Sequence, residues 1–377
     1  MKYYFIAGEA SGDLHAGNCM REIRKMDAQA EFAFTGGDLM AEVSGRQPCI
    51  HLRDMAFMGF VDVLKNISTI QKNFKKVKSD ILAFRPDVLV LVDYPGFNLR
   101  MAKWAHEKNI KVDYYISPTV WAWKENRVEQ IKRYTNKLFV ILPFEEAFYK
   151  KHDHKVYFVG HPLIDAIEQQ KPKLTPREEF MLQNHLPDKP LVAVLPGSRA
   201  QEVERMLSTM AEVAAAFKEF QFVVAGTSNL PQSYYSTLTG QNISVVFNQT
   251  YELMSYARAG IIKSGTSTLE SALFRLPQVV CYKSGAVSFA IGKRLVNIKY
   301  ISLPNLIMDR PVVKELIQNE LSVKNISEEL KRLLYDDVYR STMLNGYDQL
   351  VSHLGGAGAS GRVARYIVED AGGVAQK

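Results

Sequence analysis

The chain alternates short apolar runs with stretches whose apolar residues recur at helical spacing. Tyr3–Ala7 reads as a strand, Gly8–Asp13 as a turn and Leu14–Met26 as a helix. Phe32–Phe34 is a second short run that ends at Gly36-Gly37. Val88–Val92 is apolar on both faces, between Pro86-Asp87 and Asp93-Tyr94-Pro95-Gly96. Such a run suits a parallel strand covered by helices on both sides. Val112–Ile116, Leu138–Leu142 and Tyr157–Val159 continue the series, and the proline-punctuated stretch Pro172–Pro190 predicts a linker. Beyond it come strands at Leu191–Leu195, Gln221–Ala225, Ser244–Phe247, Gly260–Lys263 and Gln278–Tyr282. Helices are predicted at Gln201–Phe217, Tyr251–Arg258 and Thr268–Phe274; in the first, Val203, Leu207, Met210, Ala214 and Phe217 form one buried stripe. A glycine turn at Gly355–Gly358 leads into a last helix, Ser360–Glu369. The pattern predicts an α/β protein of two doubly wound parallel sheets, with ligands at the carboxyl ends of the strands.

The length of 377 residues suits two domains. Lys and Arg outnumber Asp and Glu by 47 to 40, a formal charge of +7, which favours nucleic acid, phosphorylated metabolites or an anionic membrane as partner. Cys19, Cys49 and Cys281 show no CxxC spacing, so neither a disulfide framework nor a zinc site is expected, and a reducing cytoplasm fits. Tyr3–Ala7 is too short for a signal-peptide core, and no window approaches the ~18 apolar residues that span a bilayer. The expectation is a soluble protein, or one that touches a membrane from one side.

Three glycine-containing loops stand between a strand and a helix, where free amides and the helix dipole attract anions. Gly8-Glu9-Ala10-Ser11-Gly12-Asp13 lacks the G-x-G-x-x-G of a nicotinamide site; Ser11 or Asp13 equally suits a helix cap. In Leu195-Pro196-Gly197-Ser198-Arg199 the arginine offers a planar fork for a diphosphate, or is a surface side chain. In Ser264-Gly265-Thr266-Ser267-Thr268-Leu269-Glu270 the small residues admit phosphate oxygens and Glu270 can accept ribose hydroxyls, although capping and dipole neutralisation explain the same residues. No metal-ligand cluster or Asp-x-Asp pair is present. Asp93 directly follows a buried strand and suits proton transfer, or an Asx turn. Phe60–Phe84 carries apolar residues at helical spacing among five lysines, the pattern of a core helix or of one lying in a bilayer interface. Trp121 and Trp123 with Lys124 and Arg127 suit a sugar beside a phosphate, or stacking on single-stranded nucleic acid.

Several strings resemble the lipid-A-disaccharide synthase family: AGEASGD at Ala7–Asp13, MGFVDVL at Met58–Leu64, ISPTVWAWKENRV at Ile116–Val128, LPFE at Leu142–Glu145, VGHPL at Val159–Leu163, LPGSR at Leu195–Arg199, SGTSTLE at Ser264–Glu270 and KRLVNIKYISLPNLI at Lys293–Ile307. The chain departs from the family's usual residues at Gly96, Asp309 and Gly37-Asp38. The resemblance implies a GT-B fold of two Rossmann-like domains facing a cleft, an acceptor domain at 1–168 and a UDP-sugar domain at 169–345. The segment 346–377 would return to the first domain or reach a partner chain. It implies an inverting, metal-independent and cofactor-free transfer of 2,3-diacylglucosamine from UDP to the 6-hydroxyl of 2,3-diacylglucosamine 1-phosphate (lipid X). Asp93 would be the base and Arg199 would stabilise departing UDP. Gly197, Ser198, Ser264, Gly265, Thr266, Ser267, Glu270 and Asn305 would bind the donor. Glu9, Ser11, Asp13, Trp121, Trp123 and Arg127 would meet the acceptor. Met58, Phe60, Leu64 and Ile67 would face the cytoplasmic leaflet of a Gram-negative inner membrane, the protein being peripheral, a monomer or homodimer, and without nucleic acid. A UDP-sugar 2-epimerase of the same fold and a non-catalytic anion- or RNA-binding protein are the rival readings.

Overall fold

The computed structural model describes residues 1–55, 66–227, 229–239, 243–285, 289 and 298–372. The chain divides into two compact units, Met1–Glu168 with Leu354–Lys377, and Gln169–His353.

In the first unit β1 (Lys2–Ala7), β2 (Glu31–Thr35), β3 (Val88–Val92), β4 (Val112–Tyr115), β5 (Lys137–Val140) and β6 (Tyr157–Phe158) form a parallel sheet ordered β2-β1-β3-β4-β5-β6. Both faces are covered, which is why β3 reads as five apolar residues in succession. On one face Phe5, Val90 and Phe139 meet Cys19, Met20 and Ile23 of helix Ala10–Met26 and Val363, Ala364 and Ile367 of helix Ala359–Ala371. On the other, Tyr4, Leu89 and Leu91 meet Val77 and Ile81 of helix Ile67–Phe84 and Met101 and Ala105 of helix Pro95–Glu107. Each buried Val, Leu, Ile, Phe or Met side chain among them contributes about 1.5–3 kcal/mol.

The last helix is tied to this unit at both ends. Asp165 accepts hydrogen bonds from the amides of Gly358 (2.6 Å) and Ser360 (2.7 Å), satisfying donors that a helix start leaves open. Arg362 donates through Nε to the Val159 carbonyl at 2.7 Å. At the far end Lys137 pairs with Asp370 at 3.2 Å and Lys111 donates to the Asp370 carbonyl at 2.7 Å.

In the second unit β7 (Leu191–Leu195), β8 (Gln221–Gly226), β9 (Ser244–Phe247), β10 (Ala257–Lys263), β11 (Gln278–Tyr282) and β12 (Lys314–Ile317) form a parallel sheet ordered β12-β11-β10-β7-β8-β9. The helix expected at Gln201–Phe217 is α-helical over Ala200–Glu212 and tightens to a 3₁₀ turn at Val213–Ala216. The edge strand β12 has no counterpart in the sequence reading. Helix Asp337–His353 keeps the chain in this unit beyond the boundary expected at 345.

Helix Ile67–Phe84 realises the described part of the amphipathic stretch, with Ile67 44% exposed and Lys72, Lys75 and Lys76 in solvent. Met58, Phe60 and Leu64 lie outside the described residues. Among the described residues no helix is long and apolar enough to cross a membrane.

Candidate functional site

Each sheet has one point where the chain leaves neighbouring strands in opposite directions, and a crevice forms there at the carboxyl ends. In the first unit it lies between β1 and β3, where Ala7 pairs with Val92. The next residues are the Gly8–Asp13 loop and Asp93. Asp93 and Tyr94 both adopt left-handed backbone, φ 44° and 49°, at about 1–3 kcal/mol each for a non-glycine residue. Their surroundings hold them there. Asn98, buried, donates through Nδ2 to the carbonyls of Asp93 (2.8 Å) and Val92 (3.1 Å). The Tyr114 hydroxyl donates to the Asp93 carbonyl at 2.6 Å, and that of Tyr94 to the Met55 carbonyl at 2.9 Å. The Tyr94 ring lies so close to Gly8 that any side chain there would overlap it.

Burial pushes the Asp93 carboxyl up to about 6, the charge of Glu9 adds to the rise, and the Tyr94 amide opposes it. A carboxylate so placed is basic enough to take a proton near neutrality and remains ionised there. Glu9 and Ser11 are exposed at the start of helix Ala10–Met26. Asp13 is not: its oxygens accept the amides of Gly37 (2.8 Å), Leu39 (3.1 Å) and Met40 (3.3 Å). That corrects its expected acceptor role, because a buried carboxylate spent on three amides at the start of helix Asp38–Ser44 is a brace.

Beyond β4 the short helix Val120–Trp123 carries the tryptophans. Trp123 is 53% exposed with the Lys124 ammonium 4.0 Å from its ring centre. Trp121 stands edge-on to Phe144 at 4.9 Å. Glu145, pushed up to about 8 by burial, accepts the amides of Leu142 (2.9 Å) and Ile141 (3.1 Å), and these amides and Trp121 oppose its rise. Arg127 follows in a 3₁₀ turn, half-buried.

The second switch point lies between β7 and β10, where Leu195 pairs with Ile262. Both remaining glycine loops begin there. Gly197 has φ 111°, a backbone conformation that favours glycine, and a side chain there would press on the Glu202 side chain. Ser198 and Arg199 are exposed. Glu202, in the first turn of helix Ala200–Glu212, takes Lys263 at 2.9 Å and Arg199 at 3.7 Å on one oxygen. Burial would raise its carboxyl, but the two cations hold it below its ordinary value. Lys263 is the functional candidate that the sequence reading passes over.

In the second loop the Ser264 hydroxyl donates to the Ile301 carbonyl at 2.7 Å and that of Ser267 to the Lys263 carbonyl at 3.1 Å. The hydroxyls thus shape the loop and the Thr268 amide donates to the Gly265 carbonyl at 3.1 Å, while the amides of Thr266 and Ser267 stand at the start of helix Thr266–Leu273, before the intrahelical ladder begins. Gly265 is half-buried and Thr266 exposed. Glu270 accepts the Tyr251 hydroxyl at 3.0 Å; burial raises its carboxyl and Tyr251 opposes the rise. Asn305 does not fit its expected donor contact. It is 1% exposed and its amide is fully used, accepting from Val312 (2.7 Å) and Val313 (2.9 Å) and donating to the Val313 carbonyl and Glu315, both at 2.9 Å. A cavity of about 920 Å³ beside Lys189, Lys218 and Phe222 includes none of these loop residues. Among the described residues no group of three or more His, Cys, Asp or Glu is placed to hold a metal.

Two parallel sheets with ligand-ready loops at each switch point define an α/β protein of GT-B type. Solved structures share it: a UDP-GlcNAc 2-epimerase from Neisseria meningitidis bound to UDP-GlcNAc is 15% identical with a TM-score of 0.64, covering 98% of this chain and 99% of that one. The calicheamicin glycosyltransferase CalG4 is 16% identical with a TM-score of 0.60, covering 100% and 99%. The particular family follows from sequence. The model of the lipid-A-disaccharide synthetase family matches residues 3–354. The lipid-A-disaccharide synthases of Trichlorobacter lovleyi and Geobacter sulfurreducens are 38% and 35% identical, over 96% and 97% of this chain and 96% of each relative. The chain belongs to the lipid-A-disaccharide synthase family, glycosyltransferases of lipid A biosynthesis.

Proposed function

We propose that the enzyme transfers 2,3-diacylglucosamine from its UDP conjugate to the 6-hydroxyl of 2,3-diacylglucosamine 1-phosphate, with inversion and without a metal. Asp93 takes the proton of the attacking hydroxyl. The hydroxyl oxygen bonds to the sugar's anomeric carbon as the carbon–oxygen bond to UDP breaks, and that electron pair passes to the β-phosphate oxygen. Arg199 and the amides after Ser264 and Gly197 receive the growing charge, in the role that preorganised donors fill, and Glu270 receives the ribose. Glu9, Ser11, Trp121, Trp123 and Arg127 meet the acceptor sugar and its phosphate; Asp13 and Asn305 brace the loops. The observation that carries this reading is the half-buried Asp93 carboxylate at the first switch point, raised by burial and by the charge of Glu9.

Acyl chains cost about 0.8 kcal/mol per CH₂ exposed to water, so such substrates are best met at the membrane. Exposed Ile67 and the lysines that follow it on helix Ile67–Phe84 support docking on an anionic leaflet, where each cation contributes about 1 kcal/mol.

The test is a product assay with the two diacylglucosamine lipids, with and without chelator. Disaccharide 1-phosphate and UDP are expected in both; loss with chelator removes the metal-free mechanism. Epimerisation of UDP-N-acetylglucosamine without any acceptor would favour the rival activity. Ile67→Glu is expected to reduce sedimentation with anionic vesicles, and unchanged binding by the folded variant removes the docking surface.

A further inference from the structure

Lys263 is the last residue of β10, and its ammonium reaches both loops of the second switch point. Nζ lies 2.9 Å from Glu202 Oε1 and 3.7 Å from the place a methyl group would take on Gly265. Lys263 and Glu202 are about one-fifth exposed, at 19% and 21%, so the pair is not a solvated surface bridge. Glu202 packs against Gly197 and also faces Arg199 at 3.7 Å. One carboxylate therefore gathers two cations at the start of a helix, the place where a strand-to-helix turn receives an anion.

We infer that Lys263 is a second diphosphate-binding cation of the donor site, held in place by Glu202. The inference rests on the donor reading above and adds a residue that reading does not contain. A diphosphate against the Gly197 and Gly265 turns brings at least two negative charges beside Glu202. Like charges at that range repel, and the ammonium between them offsets that repulsion. The two cations differ in kind: the Arg199 fork suits two oxygens in one plane, whereas an ammonium is a compact point charge that serves any oxygen turned toward it. As the sugar leaves, charge grows on the β-phosphate, and a cation already oriented by Glu202 needs little reorganisation to meet it.

The test compares binding of UDP and of uridine by calorimetry to the wild-type enzyme, Lys263→Met, Lys263→Arg and Glu202→Gln at fixed ionic strength. Lys263→Met is expected to weaken UDP about tenfold, the loss of one charge-assisted contact, and to leave uridine within twofold. Lys263→Arg is expected to recover most of the loss. Glu202→Gln is expected to bind UDP at least as tightly as wild type, since a competing anion is gone. UDP affinity of Lys263→Met within twofold of wild type overturns the inference. So does an equal loss for uridine and UDP, or a tenfold loss in Glu202→Gln, because either marks a scaffold pair. A separate result, wild-type enzyme that binds no UDP at all, overturns the donor reading itself.

Discussion

The two switch points share one topology and carry opposite charge. The first presents Glu9 and Asp93 beside aromatic rings, with Asp93 half-buried and pushed up to about 6 by burial. The second presents Arg199 and Lys263 around a single carboxylate, with helix-start amides at hand. On the proposed reading, the same crevice serves as a proton acceptor or an anion holder according to which residues end its strands. Backbone differs too: left-handed Asp93 and Tyr94 are held by Asn98 and Tyr114, whereas Gly197 needs no such support.

The sharpest break of this contrast is Asp93→Asn. Asparagine tolerates the left-handed backbone, so the variant is expected to fold, lose about 10²–10⁴ in kcat and keep its UDP affinity. A fall in UDP affinity as large as that in turnover would erase the division of labour. Arg199→Ala is expected to lower kcat/KM about a hundredfold and to weaken UDP while uridine binding holds. The pH dependence comes next in size. Asp93 must be ionised to accept a proton, so kcat/KM is expected to fall about tenfold per pH unit below about 6. Glu9→Gln is expected to move that limb to lower pH by less than about one unit, since it removes the nearby negative charge. Smallest for catalysis is Asp165→Asn, which loosens the cap on the last helix. It is expected to lower the stability of the first unit by about 1–3 kcal/mol in urea titration, with UDP affinity within twofold.

Stability also has a predictable sign in acid. Burial lowers His15 to about 4, with Asp165 opposing, and lowers His161 to about 3, with His15 adding. Both stay neutral in the fold while the unfolded chain protonates near 6.5. Their contribution is complete above that value and is lost as pH falls toward 4 and below. Thermal melts are expected to shift downward across this window, and less so in His15→Gln.

The strand positions and loop placement were legible because each loop follows a run that is apolar on both faces, as Val88–Val92 before Asp93 and Leu191–Leu195 before Gly197. Asp93 could be singled out because a carboxylate directly after such a run stands at the carboxyl edge of the sheet, although an Asx turn would use the same residue. Lys263 was hidden by the same logic: it closes an apolar run and reads as the strand's solvated end until Glu202, distant in sequence, is seen against it. Asp13 and Asn305 look like ligands in a motif because motifs record which residues occur, not what occupies their oxygens and amides. Strand β12 escaped notice since Lys314–Ile317 is four residues long, half polar and at the sheet's edge. Asn98 and Tyr114 gave no signal, as their work is done on the Asp93 carbonyl, Asn98 from the following helix and Tyr114 from the neighbouring strand.

The most direct measurement is a crystal structure of the enzyme with UDP. The account predicts the diphosphate at the Gly197 and Ser264–Gly265 turns, within reach of Arg199, and the ribose against Glu270. UDP seated instead beside Glu9 and Asp93 would contradict it.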